Sequence, residues 1–180
     1  MADQYEEGIK AALQNSDLAK AAENAKKYLD ESYNVRVNIG ITGESGSGKS
    51  TLVNALREIK NRTEGAAKTG VNETTMVKAE YPHPKNSNIR IWDLPGIGTV
   101  NFTADKYIKE MEFEKYDFFI IVSNDRFREN DGKLAKEIQK MNKKFYFVRS
   151  KIDQNITNFN EEGFLNRIRE NCIKGISFVI

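Results

Sequence analysis

Apolar and polar positions change rhythm several times along the chain, and the changes divide it. Residues 3–32 carry alanines, leucines and paired charges at helical spacing, with Leu13, Leu18, Ala22, Ala25 and Leu29 as expected buried positions and an Asn15-Ser16-Asp17 break between them. This predicts two short helices in an N-terminal extension over residues 1–33. From Val35 the texture switches: Val35-Arg36-Val37-Asn38-Ile39-Gly40-Ile41 alternates β-branched and other residues and runs directly into glycine-rich sequence, which predicts a strand feeding a loop. A helix is expected over residues 50–60, followed by a threonine- and glycine-rich polar loop over residues 61–74.

Strands are predicted at residues 76–81 and 89–92, joined by a hairpin that Pro82, Pro84, Asn86 and Asn88 suit. The remainder alternates: helix 104–113, strand 118–122, helix 131–141, strand 145–148, helix 161–172, strand 176–180. Such alternation implies an α/β fold whose mostly parallel, six-stranded sheet is covered by helices on both faces, a three-layer sandwich over residues 34–180. The run Phe118-Phe119-Ile120-Ile121-Val122 fits a central strand buried on both sides.

Composition narrows the setting. At 180 residues the chain fits one domain with a small appendage, and 28 basic against 26 acidic side chains leave no positive excess to advertise nucleic acid. A single cysteine, Cys172, cannot close an internal disulfide, and the opening Met1-Ala2-Asp3 lacks the basic and apolar stretches of a secretory signal. A cytoplasmic protein is the expectation. No run of about 18 apolar residues occurs, so membrane contact is expected only as a peripheral protein.

The candidate chemistry begins where the first strand ends. Gly43-Glu44-Ser45-Gly46-Ser47-Gly48-Lys49-Ser50 matches G-x-x-x-x-G-K-[ST] at every specified position and lies between a predicted strand and a predicted helix, as a phosphate-binding P-loop requires. Glycines let the backbone turn tightly with its N–H groups inward, and the following helix, which includes Thr51, adds the positive end of its dipole. Lys49 is expected to reach the β- and γ-phosphates, and Ser50 to offer its hydroxyl to Mg²⁺. The motif alone does not separate ATP from GTP.

Asp93-Leu94-Pro95-Gly96 follows the strand at 89–92, at the end of the sheet where open α/β folds place ligands. Asp93 is a candidate to hold Mg²⁺ through a water. Gly96, lacking a Cβ, can bring its N–H close to a γ-phosphate and sense it. Ser150-Lys151-Ile152-Asp153 follows the strand at 145–148 and reads as [NTS]-K-x-D, which selects guanine. The Asp153 carboxylate can accept from both the ring N–H and the amino group of guanine, whereas adenine would leave it unsatisfied; Lys151 can lay its stem over the base.

The spacing of Thr69 from Ser50 and Asp93 marks it as the loop threonine that closes over Mg²⁺ and γ-phosphate, with Thr74 and Thr75 as alternatives. Glu73 is a loop carboxylate expected near the phosphates and a candidate for orienting the attacking water. Where many GTPases carry a water-orienting glutamine after the glycine, this chain has Ile97, which cannot do that work. His83 beside two prolines reads as a turn residue and Trp92 as core.

Taken together these stretches resemble the immunity-related GTPases, the interferon-inducible IRG family of the dynamin-like group. The resemblance rests on residues 42–50, Ala66-Ala67-Lys68-Thr69-Gly70-Val71, Trp92-Asp93-Leu94-Pro95-Gly96-Ile97-Gly98, Tyr116 to Ile121, Lys144 to Asp153, and Ile168-Arg169-Glu170-Asn171-Cys172. Lysine at position 49 places it with the effector-type branch. The resemblance implies binding of GTP and GDP with Mg²⁺, and hydrolysis of GTP stimulated by nucleotide-dependent association into homodimers or homo-oligomers, or with other family members. It also implies cell-autonomous innate immunity at intracellular membranes, and a switch-glutamate role in hydrolysis for Glu73. Family members are much longer and carry a helical domain after the GTPase domain, so this chain is expected to stop within the domain's last strand. The competing expectation is a truncated, non-catalytic GDP- or GTP-binding module that regulates full-length relatives.

Overall fold

The computed structural model describes residues 2–70, 75, 77–97, 103–155 and 161–177. It divides into two compact units, residues 1–36 and 37–180. The first is a helical hairpin of α1 (Ala2–Gln14) and α2 (Leu18–Asn34). The two helices expected there are present, but the phase of their buried face is not the expected one. Ala12 and Ala21 are buried, while Leu13, Leu18 and Leu29 are exposed. Small residues let the helices meet closely: Asn24 Nδ2 donates to Gly8 O at 3.3 Å, and the Tyr5 and Tyr28 rings meet at 5.7 Å.

The second unit is an α/β sandwich. Its strands are β1 (Val37–Thr42), β2 (Ala79–Pro82), β3 (Ile89–Asp93), β4 (Phe118–Ser123) and β5 (Lys144–Arg149), in the order β2-β3-β1-β4-β5. Among the described residues only the β2–β3 pairing is antiparallel; β1 pairs in parallel with β3 and β4, and β4 with β5. The helices are α3 (Lys49–Leu56), α4 (Ala104–Glu110), α5 (Glu129–Lys140) and α6 (Glu161–Ser177). Apolar residues bury on both faces of the sheet, as its β-branched and aromatic strands require. Ile41, Val53, Ala67, Ile91 and Val122 form one cluster; Leu94, Ile97, Tyr107, Phe113, Phe119, Leu134 and Ile138 belong to the other.

Several boundaries differ from expectation. The helix expected over 50–60 stops at Leu56, because Glu58 adopts a positive φ of 56°. The helix expected over 104–113 stops at Glu110, because Glu112 has φ 54° and a 3₁₀ turn, Phe113–Lys115, follows. The strand expected from 76 starts at Ala79 and ends on Pro82, which an edge strand tolerates. Five strands are present among the described residues where six were expected. Ile176 and Ser177, the start of the expected last strand, instead close α6, and residues 178–180 lie outside the described residues. Local β propensity is a weak prior and yields to helical continuation there.

The register sets up the site. Ile41 pairs with Asp93, Thr42 with Ile121, and Ser123 with Arg149, so four parallel strands finish side by side. Where the chain order reverses, between β1 and β4, the loops leave in opposite directions and open a crevice at that end.

Candidate functional site

The loop between β1 and α3 can follow its path because glycine occupies its left-handed positions. Gly43 has φ 135°, and a Cβ built on it would lie 2.1 Å from the Val122 carbonyl oxygen, so any other residue would push β4 away. Gly48, with φ 91°, is the N-cap of α3, and its carbonyl accepts from Leu52 N–H at 2.9 Å. Lys49 is only 6% exposed, and its ammonium donates to the carbonyls of Gly43 at 3.1 Å and Glu44 at 2.9 Å. Its charge is thereby held inside the loop's concavity.

Next to it three oxygen-bearing side chains converge. Ser50 Oγ donates to Asp93 Oδ2 at 2.6 Å, and Thr75 Oγ1 donates to the same oxygen at 3.2 Å. The other carboxylate oxygen, Asp93 Oδ1, is buried and has no hydrogen-bond partner among the described residues. Burial pushes the Asp93 carboxyl above its ordinary range, against the Ser50 hydroxyl, the Lys49 charge and the Thr75 hydroxyl, which favour the anion. An orphaned buried carboxylate oxygen beside two hydroxyls is a donor set suited to a hard divalent cation, so the residues fit Mg²⁺.

An open cleft lies over this cluster. It is lined by Ser45, Gly46, Gly48, Lys49, Ser50 and Thr51 of the P-loop and α3, and by Thr69, Gly70, Thr75, Gly96 and Lys151 from the other loops. Thr69 lines the cleft, but the hydroxyl that reaches Ser50 and Asp93 belongs to Thr75, one of the alternatives. Thr74 and Glu73 lie outside the described residues. The approach of the loop to Thr69 is fixed by Asn54 on α3, whose side chain accepts from Ala67 N–H at 2.7 Å and donates to Ala67 O at 2.9 Å.

On the far side, Ser150 joins the loop after β5 to the P-loop: its hydroxyl donates to Ser47 O at 2.5 Å and its N–H to Ser123 O at 2.8 Å. Lys151, at φ 52°, lines the cleft. Asp153 is exposed on the adjoining 3₁₀ turn, Ile152–Asn155, and does not line the cleft. Glu44 turns its side chain away from the cleft to pair with Arg128 at 3.0 Å.

Ile97 is 1% exposed and packs in the core with Leu94 and Tyr107, so its side chain points away from the cleft. Its backbone ties the two loops together: Ile97 N–H donates to Gly43 O and Ser45 N–H to Ile97 O, both at 3.1 Å. His83 is a turn residue, its Nδ1 accepting from the N–H groups of Lys85 and Asn86. Trp92 is half-buried against Tyr116, with its indole N–H on Asn38.

Tyr107, Asn54 and Asp131 carry no motif that marks them in the sequence. Tyr107 and Asn54 look like helix interior positions, and only the folded contacts give their polar atoms a task. Asp131, fully buried at the start of α5, accepts from Arg128 N–H at 2.9 Å through one oxygen and leaves the other without a partner among the described residues. Burial pushes its carboxyl up to about 6, with the Glu44 charge adding to the rise.

A sequence model of the interferon-inducible GTPases (IIGP) matches residues 3–177. The chain is 47% identical over 172 residues to mouse (Mus musculus) T-cell-specific guanine nucleotide triphosphate-binding protein 2, covering 91% of this chain and 41% of that protein. It is 49% identical over 161 residues to mouse interferon-inducible GTPase 1, covering 85% of this chain and 38% of that protein. The chain thus spans about two fifths of the length of these curated relatives. In structure it is similar to a dimerization-deficient mutant of Toc33 from Arabidopsis thaliana, with a TM-score of 0.60 at 17% identity, covering 84% of this chain and 65% of that one. At that identity the likeness shows a shared P-loop GTPase fold.

Proposed function

The chain belongs to the interferon-inducible GTPase family, and on that premise we propose that it binds GTP and GDP with Mg²⁺ and hydrolyses GTP to GDP and phosphate. The observation that carries this reading is the convergence of Lys49, Ser50, Thr75 and Asp93 at one end of the sheet, with Asp93 Oδ1 buried and unpartnered among the described residues. Buried acceptors are rarely left without a partner, so the arrangement favours a bound cation there.

Most of these residues then have a role that their position supports. The backbone of residues 43–48 surrounds the phosphates, and Lys49 exchanges its two loop carbonyls for phosphate oxygens. Ser50 and Asp93 hold Mg²⁺, with Thr75 or Thr69 completing the set from the loop; the ion, when bound, neutralises charge on the β- and γ-phosphates. Gly96 presents its N–H to the γ-phosphate. Lys151 covers the base and Asp153 reads guanine, which requires the exposed Asp153 turn to close onto it. In hydrolysis the water oxygen bonds to the γ-phosphorus, the bond to the β–γ bridging oxygen breaks, and the water's protons end on phosphate and solvent.

Because Ile97 is committed to the core, that position supplies no group to orient the water. We assign that work to Glu73 and to a second nucleotide-bound copy of this chain or a relative, so hydrolysis is activated by dimerisation. Positioning and charge supply most of the catalysis in phosphoryl transfer, so completion in trans is worth about 10³-fold or more. The cellular role proposed is cell-autonomous innate immunity, from the cytoplasm and at the surface of intracellular membranes; among the described residues no helix is long and apolar enough to cross one.

The burial of Ile97 also favours a second reading, a module that binds guanine nucleotide without turning it over. Turnover per molecule, measured over a hundredfold range of protein concentration, separates the two. A rate that rises with concentration supports the enzyme. A flat rate, with a monomer in a non-hydrolysable GTP analogue, supports the module.

A further inference from the structure

The segment that carries the proposed phosphate sensor is held at each end by backbone. Leu94 N–H donates to Ile41 O at 3.1 Å, and Ile97 exchanges hydrogen bonds with Gly43 and Ser45. The peptide plane between them, Pro95–Gly96, is held by a side chain: the Tyr107 hydroxyl on α4 donates to Pro95 O at 2.7 Å. With its hydrogen so used, the phenol oxygen is the acceptor in its 3.0 Å contact with the Thr42 hydroxyl. Thr42 is the last residue of β1, directly before the P-loop, and is fully buried.

The geometry of a trans peptide gives this bond its consequence. The Pro95 carbonyl and the Gly96 N–H belong to one rigid plane and point in opposite directions. A hydroxyl that draws the carbonyl toward the core therefore turns the N–H outward, on the side where Gly96 lines the cleft. Glycine has no side chain to restrain the plane, so rotation there is easy without the tether. The Tyr107 ring is fixed independently, 8% exposed and edge-on to Phe113 at 5.7 Å, and burial raises the phenol well above its ordinary range, so it stays a donor.

We propose that Tyr107 is a positioning residue that aims the Gly96 N–H at the γ-phosphate, and so sets the preference of this site for nucleoside triphosphate over diphosphate. The inference rests on the nucleotide reading above. A diphosphate has no atom for the Gly96 N–H to meet, so the tether should count for one ligand and not the other.

The test compares Tyr107→Phe, which keeps the ring and removes the hydroxyl, with the parent chain by titration with GDP and with a non-hydrolysable GTP analogue, both with Mg²⁺. Loss of one net hydrogen bond predicts a weakening of about two- to tenfold for the analogue and unchanged affinity for GDP. Thr42→Val, which removes the hydroxyl that steadies the phenol, should shift the same ratio in the same direction by less, and serves if Tyr107→Phe folds poorly. Equal weakening of both nucleotides, or no weakening, overturns the inference while a Lys49-dependent affinity leaves the nucleotide site standing. A parent chain that binds neither nucleotide, or a Lys49→Ala variant that binds like the parent, overturns both.

Discussion

Replacing Gly96 by alanine should damage the protein before any phosphate is considered. A Cβ built at Gly96 lies 2.6 Å from Ser45 Cα, 2.8 Å from Ser45 N and 2.9 Å from Ser45 Cβ, where ordinary contacts begin at 3.4 Å. The two nearest are backbone atoms of a loop that cannot simply rotate aside, so the two loops must separate by about 0.8 Å to restore contact distance. The hydrogen bonds joining them, Ile97 N–H to Gly43 O and Ser45 N–H to Ile97 O, are already 3.1 Å long. That separation carries both beyond bonding range, for a loss of about 1–3 kcal/mol. Urea unfolding of Gly96→Ala should read a destabilisation of that size, and calorimetric titration should read weaker binding of both GDP and a GTP analogue, because the P-loop itself has moved. Unchanged unfolding free energy would refute the reasoning, since it would mean the loops are not pressed together at Gly96.

Asp131→Asn should alter the pH dependence of stability. The Asp131 carboxyl, raised by burial from 3.8 to about 6, favours the folded state when protonated; its cost is absent below about 4, grows as pH rises, and is complete above about 6, reaching about 3 kcal/mol. The variant should therefore gain stability relative to the parent between pH 4 and 7 in chemical unfolding; a difference that stays constant across that window contradicts the assignment. Asp153→Asn should weaken GTP and GDP by about tenfold or more and partly admit xanthosine nucleotides, because the amide offers a donor where the carboxylate offered only acceptors. Parent-like GTP affinity in that variant would show that Asp153 does not read the base.

Much of the architecture is legible in the sequence because its signals are local. The switch from helical spacing to β-branched alternation at Val35, the glycine-rich turn and the apolar run at Phe118 each specify an element by short-range physics. So do Lys49, Ser50 and Asp93, whose meeting needs only a parallel register between β1 and β3. What escaped depends on tertiary contact. Ile97 reads as a missing catalytic glutamine, and only the fold shows that its side chain is buried in the core. Spacing points to Thr69 first, whereas the hydroxyl that meets Asp93 Oδ2 is that of Thr75, a contact that depends on how the loop folds back. Tyr107 looks like an aromatic core residue, and only the placement of α4 beside Pro95 and Thr42 gives its hydroxyl a partner. In the N-terminal hairpin the helical period is right and the phase wrong, because alanines and a glycine at the contact outweigh leucines in a close two-helix packing.

The central claim is that guanine nucleotide is bound and GTP cleaved at the loop that holds Lys49. It is tested most directly by chromatographic measurement of GDP formed from GTP with Mg²⁺, by the parent chain and by Lys49→Ala at the same high protein concentration, with ATP as the control substrate. Removing a buried cation from its phosphate partners predicts about a thirtyfold or greater loss of triphosphate affinity. The parent should turn over GTP and not ATP, and the variant should lose that turnover. Equal GDP formation by the two proteins would contradict the claim.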